Sequence, residues 1–382
     1  MKKILPKIKD FISRADMVLF SLCMICSVFG LVVIRSATAS FGTSQYIMVQ
    51  SACILIGVVL FILFTIIDLD IIADKWAFLV VFEVVLVLLL LTPLGYADNT
   101  GNRAWLRMGF MGIQPSEVVK VIFIVVMAKH ISYLKSYKRL DSIMSVAQLM
   151  VHCFFIVGLI VAVSRDMGSA LVFVFIFIVM LVTAGLKFYW FIIGLAGVAA
   201  ITPFFWTNVL NERYRQRIMA PYDSTIDPLG FDIRWQANQS KLALANGRLT
   251  GMGLGEGTIT QQRDALPAKQ TDFIFSVIGE ELGMIACVLV FLLLMAIILR
   301  CIYIGIKSKN TMSMLVCFGV AGSLIFQTFE NISMCIGIAP VIGITLPFIS
   351  YGGSSMFSLF AAMGLVSGVK YRPKPERFVS YH

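Results

Sequence analysis

YIMVQSACILIGVVLFILFTII, residues 46–67, runs for twenty-two residues without a charge. As a helix rising 1.5 Å per residue it would be about 33 Å long, against a bilayer hydrocarbon core of about 30 Å. A helix that is apolar on every face belongs inside a large core or inside a membrane. Similar runs recur along the chain. Of its 382 residues, 59% are hydrophobic and 14% charged, whereas soluble domains carry roughly 25% charged residues. The sequence therefore reads as an all-α polytopic membrane protein. Ten spans are expected, at 17–34, 46–67, 76–94, 117–134, 143–163, 169–186, 188–206, 272–299, 312–336 and 350–369. The runs are too long and unbroken for a barrel, whose strands alternate over about ten residues. Residues 1–382 form a single membrane domain in this reading, with basic tails at 1–16 and 370–382 and a large extracellular loop, 207–271, between the seventh and eighth spans.

The net charge of +10 raises nucleic acid as a partner, but its distribution argues for orientation instead. With the N-terminus in the cytoplasm, the cytoplasmic segments hold 18 Lys and Arg, and the short external ones only Arg35, Arg103, Arg107 and Arg165. That asymmetry places both termini inside. The basic ends then meet anionic membrane lipids, and no nucleic-acid role is expected. The first span resembles a signal peptide but is longer, and reads as an uncleaved signal-anchor. The eight cysteines lie in or beside apolar spans, so no extracellular disulfide framework is indicated. Cys23 and Cys26, a C-x-x-C within the first span, read as packing residues. His130, His152 and His382 are isolated, and no H-E-x-x-H zinc motif occurs.

The long loop contains IRWQANQSKLALANG, where Trp235 suggests a short helix at the interface. GRLTGMGLGEG follows, with glycines at 247, 251, 253, 255 and 257. Such a loop could cradle phosphate, but it lacks the G-K-[ST] ending of a nucleotide loop, and a tightly turned or flexible backbone is the plainer reading.

Ionisable groups inside membrane spans are costly and usually functional. In IQPSEVVK (113–120), Glu117 and Lys120 share a helix face and can pair. SRDMGS (164–169) places Arg165 and Asp166 at an external turn. In FQTFENIS (326–333), Gln327 and Asn331 face one way. Glu83 stands alone, facing a cavity or pairing with Lys120 or an arginine. QTDFIFSVIGEEL (270–282) brings three acids. Thr271 or Asp272 suits a helix N-cap. Glu280, eight residues on, lies about 12 Å deeper, so the three acids are expected to have separate jobs: Asp272 at the watery end, Glu280 and Glu281 holding helices or shaping a cavity.

GNRAWLRMG, QPSEVVK, RDMGSAL, WQANQS with ALANGRLTGMGLGEGT, LPAKQTDFIFSVIGEELG and NISMCIGIAPVIGITLPFISYGGSS together resemble the SEDS proteins (shape, elongation, division and sporulation), the bacterial lipid II polymerases. IGIAPVIG is closer to rod-elongation members than to division members; SMCIGIAP and Ala245-Asn246-Gly247-Arg248 depart from the family pattern. The resemblance implies a multi-pass bacterial plasma-membrane glycosyltransferase that polymerises lipid II at the outer face. It also implies a catalytic aspartate in T-D-F-[IV]-F (Asp272), a divalent cation, Mg²⁺ or Mn²⁺, with no organic cofactor, and a class B penicillin-binding protein as partner. Candidate substrate or cavity residues are Lys120, Glu117, Arg103, Arg165, Asp166, Arg217, Gln239, Ser240, Glu280, Gln327, Asn331 and Ser350. An α-linked lipid diphosphate donor giving a β-linked polymer requires inversion, hence a base on the face opposite the leaving group. A diphosphate leaves as a stable anion and needs positive charge rather than a strong acid. LPFISYGGSS (346–355) suggests a broken segment lining the site. The rival readings are a transporter of lipid-linked precursors, another polymerase or ligase using lipid-diphosphate donors, and a scaffold without chemistry.

Overall fold

The computed structural model describes residues 4–96, 103–108 and 111–371. A short helix α1 (Ile4–Arg14) precedes α2 (Met17–Ala37), whose first turn is capped by Asp16, accepting from the Leu19 N–H at 2.9 Å. Next come α3 (Gln45–Ile66), the brief α4 (Leu69–Ala73) and α5 (Trp76–Leu88). Three short antiparallel strands follow in the order β1 (Gly95–Tyr96), β2 (Trp105–Met108), β3 (Met111–Ile113). They were not expected from the sequence, where strands of two to four residues leave no periodicity. The remainder is helical: α6 (Pro115–Ser136), α7 (Ile143–Ser164), α8 (Met167–Ala184), α9 (Phe188–Phe204), α10 (Glu212–Met219), α11 (Trp235–Gly247), α12 (Ile274–Lys307), α13 (Thr311–Cys335) and α14 (Gly353–Tyr371).

Seven of these helices are long and apolar enough to cross a membrane: α2, α3, α7, α8, α9 with its wound extension, α12 and α13. α5, α6 and α14 fall on the other three expected spans. α5 is shorter, α6 carries Glu117 and Lys120, and α14 is rich in serine and glycine. The core lies where α14 runs along α3 and where α13 packs between α12, α8 and α6. Glycines set the first contact: a Cβ at Gly57 would sit 2.7 Å from the Phe360 ring, and one at Gly364 2.7 Å from the Phe61 carbonyl. α9 stands apart, with none of its residues buried.

The bundle has two chemically different ends. At one, Asp16 is fully buried and receives the Arg300 guanidinium at 2.7 Å and the Lys370 ammonium at 3.3 Å, while its backbone N–H donates to Ser367 Oγ. This knot ties the start of α2 to the ends of α12 and α14. The other end gathers the segments between α2 and α3, before α6, between α7 and α8, before α12, and after α13.

Two expectations need correcting. The eighth expected span is not one rod: Gly283, at φ 81° and ψ 178°, breaks α12 into two pieces. That conformation is essentially reserved for glycine. Glu83 is fully buried but meets neither Lys120 nor an arginine. The nearest ionisable partner is His152 on α7, 3.8 Å away, so His152 is not isolated either.

Candidate active site around Asp272

The expected N-cap role of Asp272 is not what the chain uses. α12 begins at Ile274, and no side chain caps it. Ala268, with φ 56°, turns the backbone so that its carbonyl accepts from the N–H groups of Thr271, Asp272 and Phe273 at 3.0–3.2 Å. The Asp272 carboxylate lies instead beside the irregular segment 338–352, where a Cβ at Gly343 would stand 3.5 Å from Oδ2. Gly343 has φ 75°; a side chain there would be strained, and would be in van der Waals contact with the acid.

That segment is laced to the Asp272 turn. Ser350 Oγ donates to the Thr271 carbonyl at 2.6 Å and accepts from the Leu346 N–H at 2.9 Å; the Tyr351 N–H donates to Gln270 O at 2.9 Å. Buried Asn331, on α13, donates through Nδ2 to both Asp272 O and Ile344 O at 2.7 Å. One amide thus fixes the acid's backbone to the segment it faces. Gln327, one turn away, is also buried and reaches only Ser323, at 3.4 Å.

The opposite wall comes from the starts of α6 and α8. Asp166 caps α8 by accepting from the Ser169 N–H at 2.9 Å, and also accepts from Ser169 Oγ at 2.6 Å and Gln114 Nε2 at 2.9 Å. A Cβ at Gly168 would meet the Ile342 carbonyl at 2.8 Å. Ile342 therefore abuts the Asp166 turn while the next residue, Gly343, abuts Asp272, so one strand of chain is flanked by two aspartates. Farther along α6, Lys120 Nζ donates to both Glu117 oxygens at 2.9–3.0 Å. Both residues are buried, and the expected pair is present.

The other candidates lie elsewhere. Arg103 donates to the carbonyls of Thr92 and Gly95. Arg165 is exposed, in a left-handed conformation at the end of α7. Ser240 is locked between Ser276 Oγ at 2.6 Å and Cys335 O at 2.7 Å, and Gln239 is half-buried on the same helix. Arg217 lines a separate cleft with α11. Asn102, part of one matching stretch, lies outside the described residues.

Glu280 and Glu281 flank the break in α12 and hold the glycine-rich loop. Where Gly283 interrupts the helical ladder, residues 248–253 supply the missing partners. Met252 and Gly253 N–H donate to Glu280 O and Glu281 O at 3.0 and 2.9 Å; Met284 and Ile285 N–H donate to Arg248 O and Leu249 O at 2.9 and 3.2 Å. The Glu280 carboxylate accepts from the Ile259 and Thr260 N–H groups at 3.0 and 2.8 Å and from Thr258 Oγ1 at 2.9 Å. Glu281 accepts from the Gly255 N–H, Gln261 Nε2 and Ser36 Oγ. The loop's N–H groups are thus spent on helix α12, which disfavours the phosphate-cradle reading. The glycines permit close approach: a Cβ at Gly247 would fall 1.7 Å from the Gly279 carbonyl.

Lys269 is a residue the sequence reading passed over. Fully buried, it donates to the Thr260 and Gln262 carbonyls and to Ser40 Oγ, with the Phe41 ring 5.2 Å away. Burial pushes its pKa down, while Glu281, Asp264 and Glu280 push it back up. Its position three residues before Asp272, in LPAKQTDF, was the available signal. Glu281, the loop, Lys269 and the Ala268 turn form a continuous brace ending at Asp272.

The family model of the FtsW, RodA and SpoVE cell cycle proteins matches residues 16–374. This chain belongs to that family. Over 275 residues, 72% of each chain, it is 33% identical to the peptidoglycan glycosyltransferase MrdB of Escherichia coli K12. It is 32% identical to stage V sporulation protein E of Bacillus subtilis over 363 residues, 93% of this chain and 96% of that one. A probable peptidoglycan glycosyltransferase FtsW of Geobacter sp. strain M18 is 33% identical over 368 residues, 94% and 97% of the two chains. Near-equal identity leaves the FtsW/RodA/SpoVE branches unseparated. Among solved structures, a chain from work entitled "Structural coordination of polymerization and crosslinking by a peptidoglycan synthase complex" superposes with a TM-score of 0.77 at 25% identity, covering 96% of this chain and 99% of that one. Thermus thermophilus RodA shares the fold, with a TM-score of 0.68 at 24% identity over 93% and 96% of the chains.

Proposed function

We propose that this chain is a multi-pass plasma-membrane glycosyltransferase that polymerises lipid II, with Asp272 as general base. One observation carries the assignment of the base. Asp272 is held by its backbone through Ala268, Asn331 and the loop brace, and its carboxylate lies beside Gly343 in an irregular segment. Such backbone at membrane depth is tolerated where it lines a cavity. The carboxylate takes the proton of the incoming sugar hydroxyl. That oxygen bonds to the anomeric carbon as the carbon–diphosphate bond breaks, and the lipid diphosphate departs with the electron pair.

Asp166 accepts from Gln114 and Ser169, and Ser169 Oγ donates to Ser116 Oγ, so a polar cluster stands against Ile342, next to Gly343. A divalent ion, Mg²⁺ or Mn²⁺, fits this site only in part: no group of three or more candidate ligands occurs among the described residues. Such an ion would come with the substrate's phosphates and share a single carboxylate, a common manner of holding Mg²⁺. Ten crossings, both termini inside, and Asp272 at the outer face complete the reading. The rod-elongation branch is preferred on IGIAPVIG, and a class B penicillin-binding protein is the proposed partner.

Purified protein with lipid II and Mn²⁺, wild type against Asp272→Asn, tests the base. The expected result is no glycan polymer from the variant, with thermal unfolding unchanged; equal polymer lengths on a gel would remove Asp272 from the chemistry. The assay runs in detergent, where there are no sides to cross, so it also discriminates against a transporter.

A further inference from the structure

A second cleft lies between α10, α11 and the start of the 338–352 segment, lined by Arg217, Arg234 and Lys241. Neighbouring arginines on α10 are matched to acids: Arg213 to Asp232 at 3.8 Å and Arg215 to Glu212 at 3.7 Å. Arg217, Arg234 and Lys241 make no such pair among the described residues. Two acids lie near Arg234: Asp223, which accepts from Thr225, and Asp227, whose carboxylate accepts from the Arg234 N–H at 3.0 Å. Three other cations, Lys120, Lys269 and Arg103, are engaged by Glu117, by the Thr260 and Gln262 carbonyls, and by the Thr92 and Gly95 carbonyls. Three cations without an ion-pair partner among the described residues thus line one concave place.

The cleft is tied to the Asp272 site. Lys241 lies across Gly337, where a Cβ would stand 2.9 Å from its Cδ and 3.4 Å from its Nζ. Gly337 leads into the same segment whose Gly343 abuts Asp272, at most about 20 Å along the chain. Ser240, next to Lys241, is bonded to Ser276, one turn into α12.

We propose that Arg217, Arg234 and Lys241 form the subsite for the diphosphate of a lipid-linked sugar substrate. The proposal rests on the glycosyltransferase reading above and adds where the substrate's charge is held. Three converging cations suit a multiply charged anion; a single carboxylate would leave two of them unmatched. Two guanidinium groups can each clasp phosphate oxygens in pairs. Through Ser240 and Ser276, α11 meets the first turn of α12, the end of that helix at which Asp272 stands. The rest of the cleft lining is alanine, proline, glycine, Ile233 and Val341, with one neutral polar side chain, Asn238.

The test uses the full chain in neutral detergent, comparing Arg234→Gln/Lys241→Gln with wild type and with the charge-preserving Lys241→Arg. In polymerisation the double variant should raise KM about tenfold or more, with kcat within about threefold, while Lys241→Arg stays near wild type. Calorimetric titration with inorganic diphosphate should detect binding to wild type and to Asp272→Asn, and none to the double variant. That titration needs no catalysis, so it separates failure of this subsite from failure of Asp272 as base. An unchanged KM, or diphosphate binding retained by the double variant, overturns the proposal. So does a defect seen only in vesicles containing phosphatidylglycerol and absent in phosphatidylcholine, which would assign the cations to anionic headgroups.

Discussion

Three acids of one short stretch, Asp272, Glu280 and Glu281, separate by what surrounds them. Glu280 is satisfied by backbone N–H groups of residues 259 and 260 and by side chains. Its charge is therefore structural, and the neutral isostere should expose that. Glu280→Gln turns an acceptor into a donor facing N–H groups, which leaves buried donors unpaired at about 1–3 kcal/mol each. The expected outcome is a lower midpoint of thermal unfolding and faster amide exchange at Ile259 and Thr260, with exchange in α14 unaffected. Unaltered exchange at those two amides would contradict the brace. Asn331→Leu should act differently. It frees the Asp272 and Ile344 carbonyls without touching the loop, and should lower kcat more than it raises KM. Sequence reasoning separated the roles of these acids because helical spacing forbids one tight cluster. It could not see the donor set of Glu280, which comes from residues twenty positions earlier, nor Lys269, whose role depends on Phe41 and on Ser40, 229 residues away in sequence.

Among elements, the break in α12 is the feature on which the brace depends. An alanine at Gly283 would place its Cβ 2.4 Å from both Gly251 N and Leu249 O, in a conformation costing roughly 1–3 kcal/mol for a residue with a side chain. Gly283→Ala should destabilise the protein by more than that strain alone, because the neighbours met are backbone atoms. Gly197→Ala on exposed α9, where nothing lies within 4 Å, should be neutral or stabilising by about 0.5–1 kcal/mol, as for a mid-helix glycine. Denaturation of the two variants side by side is the check; equal stability would mean that the loop is not clasped at the break. The seven long apolar helices were legible because an apolar run of bilayer length has few other destinies. The break was not, because a glycine within an apolar helical pattern is commonly tolerated. What makes Gly283 different is the chain lying against it, supplied by residues 248–253.

At the scale of the whole molecule, the same helices that bring the Asp272 and Asp166 turns to either side of residues 342 and 343 also sort the charge. One end carries the Asp16–Arg300–Lys370 knot, the Lys129–Asp74 pair at 2.7 Å and the Lys187–Asp141 pair at 3.7 Å; the other carries the two clefts. The proposed orientation follows from the basic bias of the first end, and it can be read directly. All eight cysteines are buried, so a membrane-impermeant maleimide should find little background. Exposed positions are available at each end: Thr43 between α2 and α3, Ser224 between α10 and α11, and Lys138 between α6 and α7. In intact cells, Thr43→Cys and Ser224→Cys should label, and Lys138→Cys only after the membrane is permeabilised. Labelling of Lys138→Cys in intact cells, or protection of Ser224→Cys, would invert the orientation. Asp272 would then face the cytoplasm, away from the outer surface on which the proposed polymerisation depends.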